Sequence, residues 1–164
     1  MLNYFDDISS KYACNLSGGI LESVRVNPKS RILIVEDDMP IAMMMVFLLA
    51  QADCETEMAT TGKKAVQMAE EGNFDLITLA VDLPDGSGFN ICRRLKENLH
   101  SCNTPIVFVS ARSCLEDQQN GLDVGAADYI TKPFDTFEFA PRLLLHIKTK
   151  GNFHSGTVSQ NAMT

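Results

Sequence analysis

Five short β-rich runs alternate with helical patterns through the middle of this chain, and that alternation limits its fold more than any other feature. The runs are Arg31 to Val35, Glu55 to Ala59, Asp75 to Leu79, Pro105 to Val109 and Asp128 to Thr131. Between and after them lie apolar patterns of helical period, at about Met39 to Ala52, Thr61 to Glu71, Gly88 to Leu99, Cys114 to Asp123 and Asp135 to Lys148, with Phe89, Cys92, Leu95 and Leu99 on one face. Apolar strands separated by helices need cover on both faces and right-handed crossovers. A (βα)5 doubly wound α/β fold with a five-stranded parallel sheet follows, and of the orders open to such a sheet the flavodoxin-like 2-1-3-4-5 is the one expected.

The chain is long enough for one such core and short for two domains, at 164 residues. Residues 1 to 29 are read as an appended N-terminal arm with a weak helical stripe at Leu2, Phe5, Ile8 and Tyr12. Residues 30 to 150 form the domain, and residues 151 to 164, polar and small, are read as a flexible C-terminal tail with no output domain. A net charge of -7 argues against a nucleic-acid surface, which needs clustered Lys and Arg. An odd count of five cysteines without CxxC spacing fits reduced thiols. Asp6 and Asp7 stand where a signal peptide would be positive, and no apolar run reaches bilayer length. A cytoplasmic protein with no membrane contact is expected.

In open parallel sheets, ligands sit beyond the C-terminal strand ends. The first strand ends in Glu36-Asp37-Asp38, a carboxylate run that suits a hard cation such as Mg2+; an acidic helix N-terminus is the alternative. The fourth ends in Ser110 and the fifth in Lys132-Pro133. A hydroxyl donor and an ammonium could together hold a phosphoryl group, although each alone is commonly a cap or a solvated charge.

This combination resembles the receiver domains of bacterial two-component response regulators, and the run Gly121 to Phe134 resembles theirs closely. The resemblance covers about Ser30 to Lys150. It implies that Asp37, helped by Glu36, binds Mg2+ together with the backbone carbonyl of Asp82, that Ser110 and Lys132 contact the phosphoryl group, and that Tyr129 is the switch aromatic. Family members carry an aspartate four residues before a proline at the end of strand three. Here the matching position before Pro84 is Ala80, whose methyl group cannot accept a phosphoryl group. Mg2+ binding is expected to be weakened as well. Asp82 lies two residues on, some 6–7 Å along an extended chain, too far to replace the acceptor. A salt bridge from Asp82 to Lys132 is expected instead.

By the same resemblance, the partners are a sensor histidine kinase or histidine phosphotransfer protein and a downstream effector protein, a homodimer is compatible, and the domain signals without acting as an enzyme. Ala80 has two explanations, an engineered block on phosphorylation and a natural pseudo-receiver that acts by binding alone. Persistence of the costly cluster Glu36, Asp37, Ser110 and Lys132 favours the first. A small α/β enzyme finds no support, since no nucleophile and base pair up near these strand ends. With Ala80 the switch is expected to rest in its unphosphorylated state, Tyr129 turning inward only on activation. Pro141 is expected to kink or shorten the last helix.

Overall fold

The computed structural model describes residues 29 to 151; all but the last residue of the proposed arm and all but the first residue of the proposed tail lie outside this range. Five parallel strands alternate with five helices: β1 (Arg31–Val35), α1 (Met39–Gln51), β2 (Glu55–Ala59), α2 (Gly62–Glu71), β3 (Leu76–Leu79), α3 (Gly88–Glu97), β4 (Ile106–Ser110), α4 (Leu115–Asp123), β5 (Asp128–Thr131) and α5 (Thr136–Gly151). The sheet runs in the order β2-β1-β3-β4-β5, the flavodoxin-like order expected. A two-residue antiparallel ribbon, Asp82–Leu83 against Gly86–Ser87, closes the turn between β3 and α3.

The central strands β1, β3 and β4 are buried on both faces because two separate cores sandwich the sheet, whereas the edge strand β2 is buried only at Ala59. One joins Leu33, Val35, Ile77, Leu79 and Phe108 to α2 and α3 through Ala65, Val66, Ile91 and Leu95. The other joins Ile32, Ile34, Leu76 and Val107 to α1 and α5 through Met45, Leu49, Phe139 and Leu143. The period-2 alternation of strand side chains assigns successive residues to opposite cores, so β3 and all of β1 after Arg31 must be apolar. Thr78 breaks that rule in β3: it is fully buried, and its hydroxyl has no hydrogen-bond partner.

Helix α1 starts where Asp38 accepts a hydrogen bond from the Ile41 amide, with Pro40 in the first turn, where its missing N–H costs nothing. The helix contains no charged residue and leaves Met39, Met43, Met44 and Phe47 exposed. Helix α5 differs from expectation: it runs unbroken through Pro141 and is not shortened. The carbonyl that Pro141 leaves unpaired belongs to Phe137, which stands on the solvent side, where water can satisfy it. Cys92 lies on the core face of α3, and burial pushes its thiol up to about 11, as suits a packing residue.

Candidate functional site

The strand register brings the named residues level at one end of the sheet. Val35 pairs with Leu79, Leu79 with Phe108 and Ser110 with Thr131, so the residues that follow β1, β3, β4 and β5 emerge side by side. Backbone bonds continue the alignment past the strands: the Ala80 amide donates to the Val35 carbonyl at 2.9 Å and the Lys132 amide to the Ser110 carbonyl at 2.8 Å. Ala80 is 4% exposed and packs with Val35, Leu79 and Val81 at this end of the core. Gly88 holds the start of α3 close beneath: a Cβ there would lie 2.0 Å from the Ala80 carbonyl oxygen. Only glycine allows that approach.

The charged groups pair with one another, though not all as expected. Lys132 Nζ donates to Glu36 Oε2 at 2.5 Å, with the two side chains 16% and 3% exposed. Glu36 also accepts from the Asp38 amide through its other oxygen. Asp82 does not reach Lys132. Its carboxylate turns outward to Arg112, which donates from Nε at 3.0 Å and from its terminal nitrogen at 2.6 Å in a two-pronged pair. Arg112 therefore holds Asp82 below the usual carboxylate range. The expected Asp82–Lys132 bridge fails because Lys132 has a closer and better buried carboxylate in Glu36, whereas Asp82 projects from the ribbon towards the loop after β4.

As paired here, the cleft carboxylates offer a divalent cation few ligands. Glu36 is engaged by Lys132, Asp82 by Arg112, and residue 80 offers a methyl, while Asp37 stands exposed. Among the described residues no group of three or more His, Cys, Asp or Glu side chains gathers as a metal site. Mg2+ takes one or two carboxylates and completes its octahedron with water, so the exposed Asp37 is the carboxylate still unpaired for it here, with Glu36 and Asp82 engaged elsewhere and none at residue 80.

Ser110 is 4% exposed and accepts from the Arg112 amide at 3.1 Å. Tyr129 is 7% exposed and stands inward, in contrast to the resting position expected for a chain with Ala80. Its hydroxyl donates to the Arg112 carbonyl at 2.9 Å and its ring packs on Phe108, with centroids 5.7 Å apart. Burial raises its phenol pKa, against a smaller opposite effect from the Ser110 hydroxyl. The slot it fills exists because residue 121 is glycine: a Cβ there would lie 2.8 Å from the Tyr129 ring and 3.0 Å from Phe108.

Two site residues escaped sequence reasoning. Arg112 follows β4 as Asp82 follows β3, and since these strands are parallel neighbours in register, opposite charges at similar offsets meet. That signal was available once the strand order was assigned. Asp85 gave no such signal. It reaches across from the ribbon to accept from the amides of Gly62 and Lys63 at 2.8 Å each, which caps α2 and holds its own carboxyl below the usual range.

Comparison with known proteins agrees with this geometry. The family model described as response regulator receiver domain matches residues 32–143. The transcriptional regulatory protein DltR of Streptococcus agalactiae is 38% identical over 118 residues, which is 72% of this chain and 52% of DltR. The chain thus spans about half the length of the curated relatives it matches. A putative response regulator from Chloroflexus aurantiacus superposes with a TM-score of 0.71 at 28% identity, covering 74% of this chain and 99% of that one. The receiver domain of the sensor histidine kinase PA1611 from Pseudomonas aeruginosa, solved with a magnesium ion coordinated in its active-site cleft, superposes with a TM-score of 0.69 at 26% identity and the same coverage.

Proposed function

Because this chain belongs to the response regulator receiver domain family, we propose that it is a two-component signalling receiver that residue 80 makes unable to accept a phosphoryl group. The observation that carries this reading is the convergence of Glu36, Ser110 and Lys132 around a buried alanine at the C-terminal end of the sheet. Lys132 can compensate phosphoryl charge and Ser110 can donate to a phosphoryl oxygen, but neither supplies the carboxylate nucleophile that an acyl phosphate requires. Cytoplasmic signalling, with no direct nucleic-acid or membrane contact by this domain, belongs to the same proposal; among the described residues no helix is long and apolar enough to cross a membrane.

The partner side of the proposal rests on α1. Its stripe of Met39, Met43, Met44 and Phe47 is an exposed apolar face of the kind that marks protein contacts, and a kinase or phosphotransfer protein would dock there beside the cleft.

Ala80→Asp tests the reading. With Mg2+ and acetyl phosphate the variant is expected to become labelled, while the parent stays unlabelled under the same conditions. The substitution would also add the carboxylate that the cation set lacks, so a Mg2+-dependent change in the spectrum of the variant should be absent from the parent. A folded but unlabelled variant would support the second reading, a phosphorylation-independent interaction module. One observation favours that module: Glu36 is paired with Lys132 and Asp82 with Arg112, so the cleft charges neutralise each other and no longer argue against their natural persistence beside Ala80. Whether the naturally encoded sequence carries an aspartate at residue 80 decides between an engineered block and a natural pseudo-receiver.

A further inference from the structure

Arg112 is bound at both ends to different parts of the molecule. Its side chain grips Asp82 at the cleft mouth with two donors, at 3.0 and 2.6 Å, and its other terminal nitrogen approaches Asp117 on α4 at 3.7 Å. Its amide donates to Ser110, and its carbonyl accepts the Tyr129 hydroxyl at 2.9 Å. The loop between β4 and α4 is thus fastened to the cleft by a guanidinium and to the outer strand by a carbonyl of the same residue.

We propose that the Asp82–Arg112 pair is a latch that holds Tyr129 inward without a phosphoryl group, making Arg112 the positioning residue that couples the cleft to the face built by α4, β5 and α5. The physical reason is the rigidity of the two attachments. A two-pronged guanidinium–carboxylate pair sets orientation as well as distance, so it determines where the 112 carbonyl points. The Tyr129 hydroxyl needs an acceptor when its ring is buried, and the Arg112 carbonyl is the acceptor it finds. If the loop drifts, that acceptor leaves, the buried phenol keeps only the Ser110 hydroxyl beside it, and the outward position, where water serves it, gains in population. Gly121 and Phe108 provide room for the ring but no acceptor for its hydroxyl, so they permit the inward state without selecting it.

Linkage makes the coupling reciprocal. Any group that draws Asp82 away from Arg112 releases Tyr129, and any partner that needs Tyr129 inward strengthens the pair. In a chain whose residue 80 accepts no phosphoryl group, the latch would keep the α4, β5 and α5 face in one arrangement. That consequence for signalling rests on the receiver reading above, whereas the latch itself rests on the geometry alone.

The test uses the full chain and its Arg112→Ala, Asp82→Asn and doubly substituted forms, with NMR of the Tyr129 ring as the readout. Both partners of the pair are largely solvent-exposed, so the variants should keep the fold, which unchanged β1 and β3 amide shifts would verify. Each single variant is expected to lower the inward-to-outward ratio of Tyr129 roughly two- to fivefold, the range of an exposed ion pair. Its ring protons should move towards solvent values, and the Phe108 cross-peaks should weaken. The double variant should go no further than either single one, because both remove the same link. Ring shifts and cross-peaks that stay at parent values in both single variants, or effects that add in the double variant, would overturn the latch. Failure of Ala80→Asp to take label, with the Tyr129 response intact, would instead count against the receiver reading only.

Discussion

Lys132→Met removes the ammonium that faces Glu36 at 2.5 Å while keeping most of its apolar stem. Glu36 is only 3% exposed and would be left with the Asp38 amide as its named donor, at 3.3 Å. Breaking a buried pair in this way typically costs about 3–5 kcal/mol, because the surviving carboxylate keeps its desolvation penalty and loses its partner. Lys132 reaches the rim, at 16% exposure, so water can partly relieve Glu36, and the lower half of that range, about 3–4 kcal/mol, is expected. With a urea slope of about 2 kcal/mol/M for a domain of this size, the unfolding midpoint should fall by about 1.5–2 M. The second arm of the experiment is Glu36→Gln combined with Lys132→Met, which removes both charges and keeps a hydrogen-bonding side chain at residue 36. It should recover about 2 kcal/mol relative to Lys132→Met alone, since a neutral pair no longer has to be desolvated as ions. Urea melts of the parent, both single variants and the double variant close the cycle. A Lys132→Met cost under about 1 kcal/mol, or a double variant equal to the sum of the singles, would show that the pair does not hold the cleft together.

Thr78→Val keeps the shape of the side chain and deletes a fully buried hydroxyl without a partner; it should stabilise the domain by about 1 kcal/mol, and a melt showing destabilisation would mean that the hydroxyl is satisfied in solution. Asp128 is pulled up by burial, but Arg142, the Tyr129 amide and His146 outweigh this and leave its carboxyl below the ordinary value. A lowered folded-state pKa contributes stability that is present above the ordinary carboxylate value and is lost as pH falls through the folded one. Acid titration of stability below about pH 4 should therefore be shallower in Asp128→Asn than in the parent, and equal slopes would contradict the assignment.

The strand and helix alternation was legible because burial on both faces demands apolar β-rich runs, and nothing but helical cover reconciles five of them with a parallel sheet. The order of the strands and the gathering of Glu36, Ser110, Lys132 and Ala80 at one edge followed from that topology, and the register agrees with it. Which charges would pair was not legible. Lys132 chose Glu36, and Asp82 chose Arg112, by differences of a few ångströms in where side chains leave the backbone, and chain spacing carries no such information. The same holds for Tyr129. Its identity marked it as a switch residue, but its inward position depends on the missing side chain at Gly121 and on the direction of the Arg112 carbonyl, both set by packing. Residue types and their period determined the layers, the edge where chemistry sits and the lack of an acceptor at residue 80. Only the tertiary structure decided the ion pairs and the rotamers, because those depend on short-range distances between residues far apart along the chain.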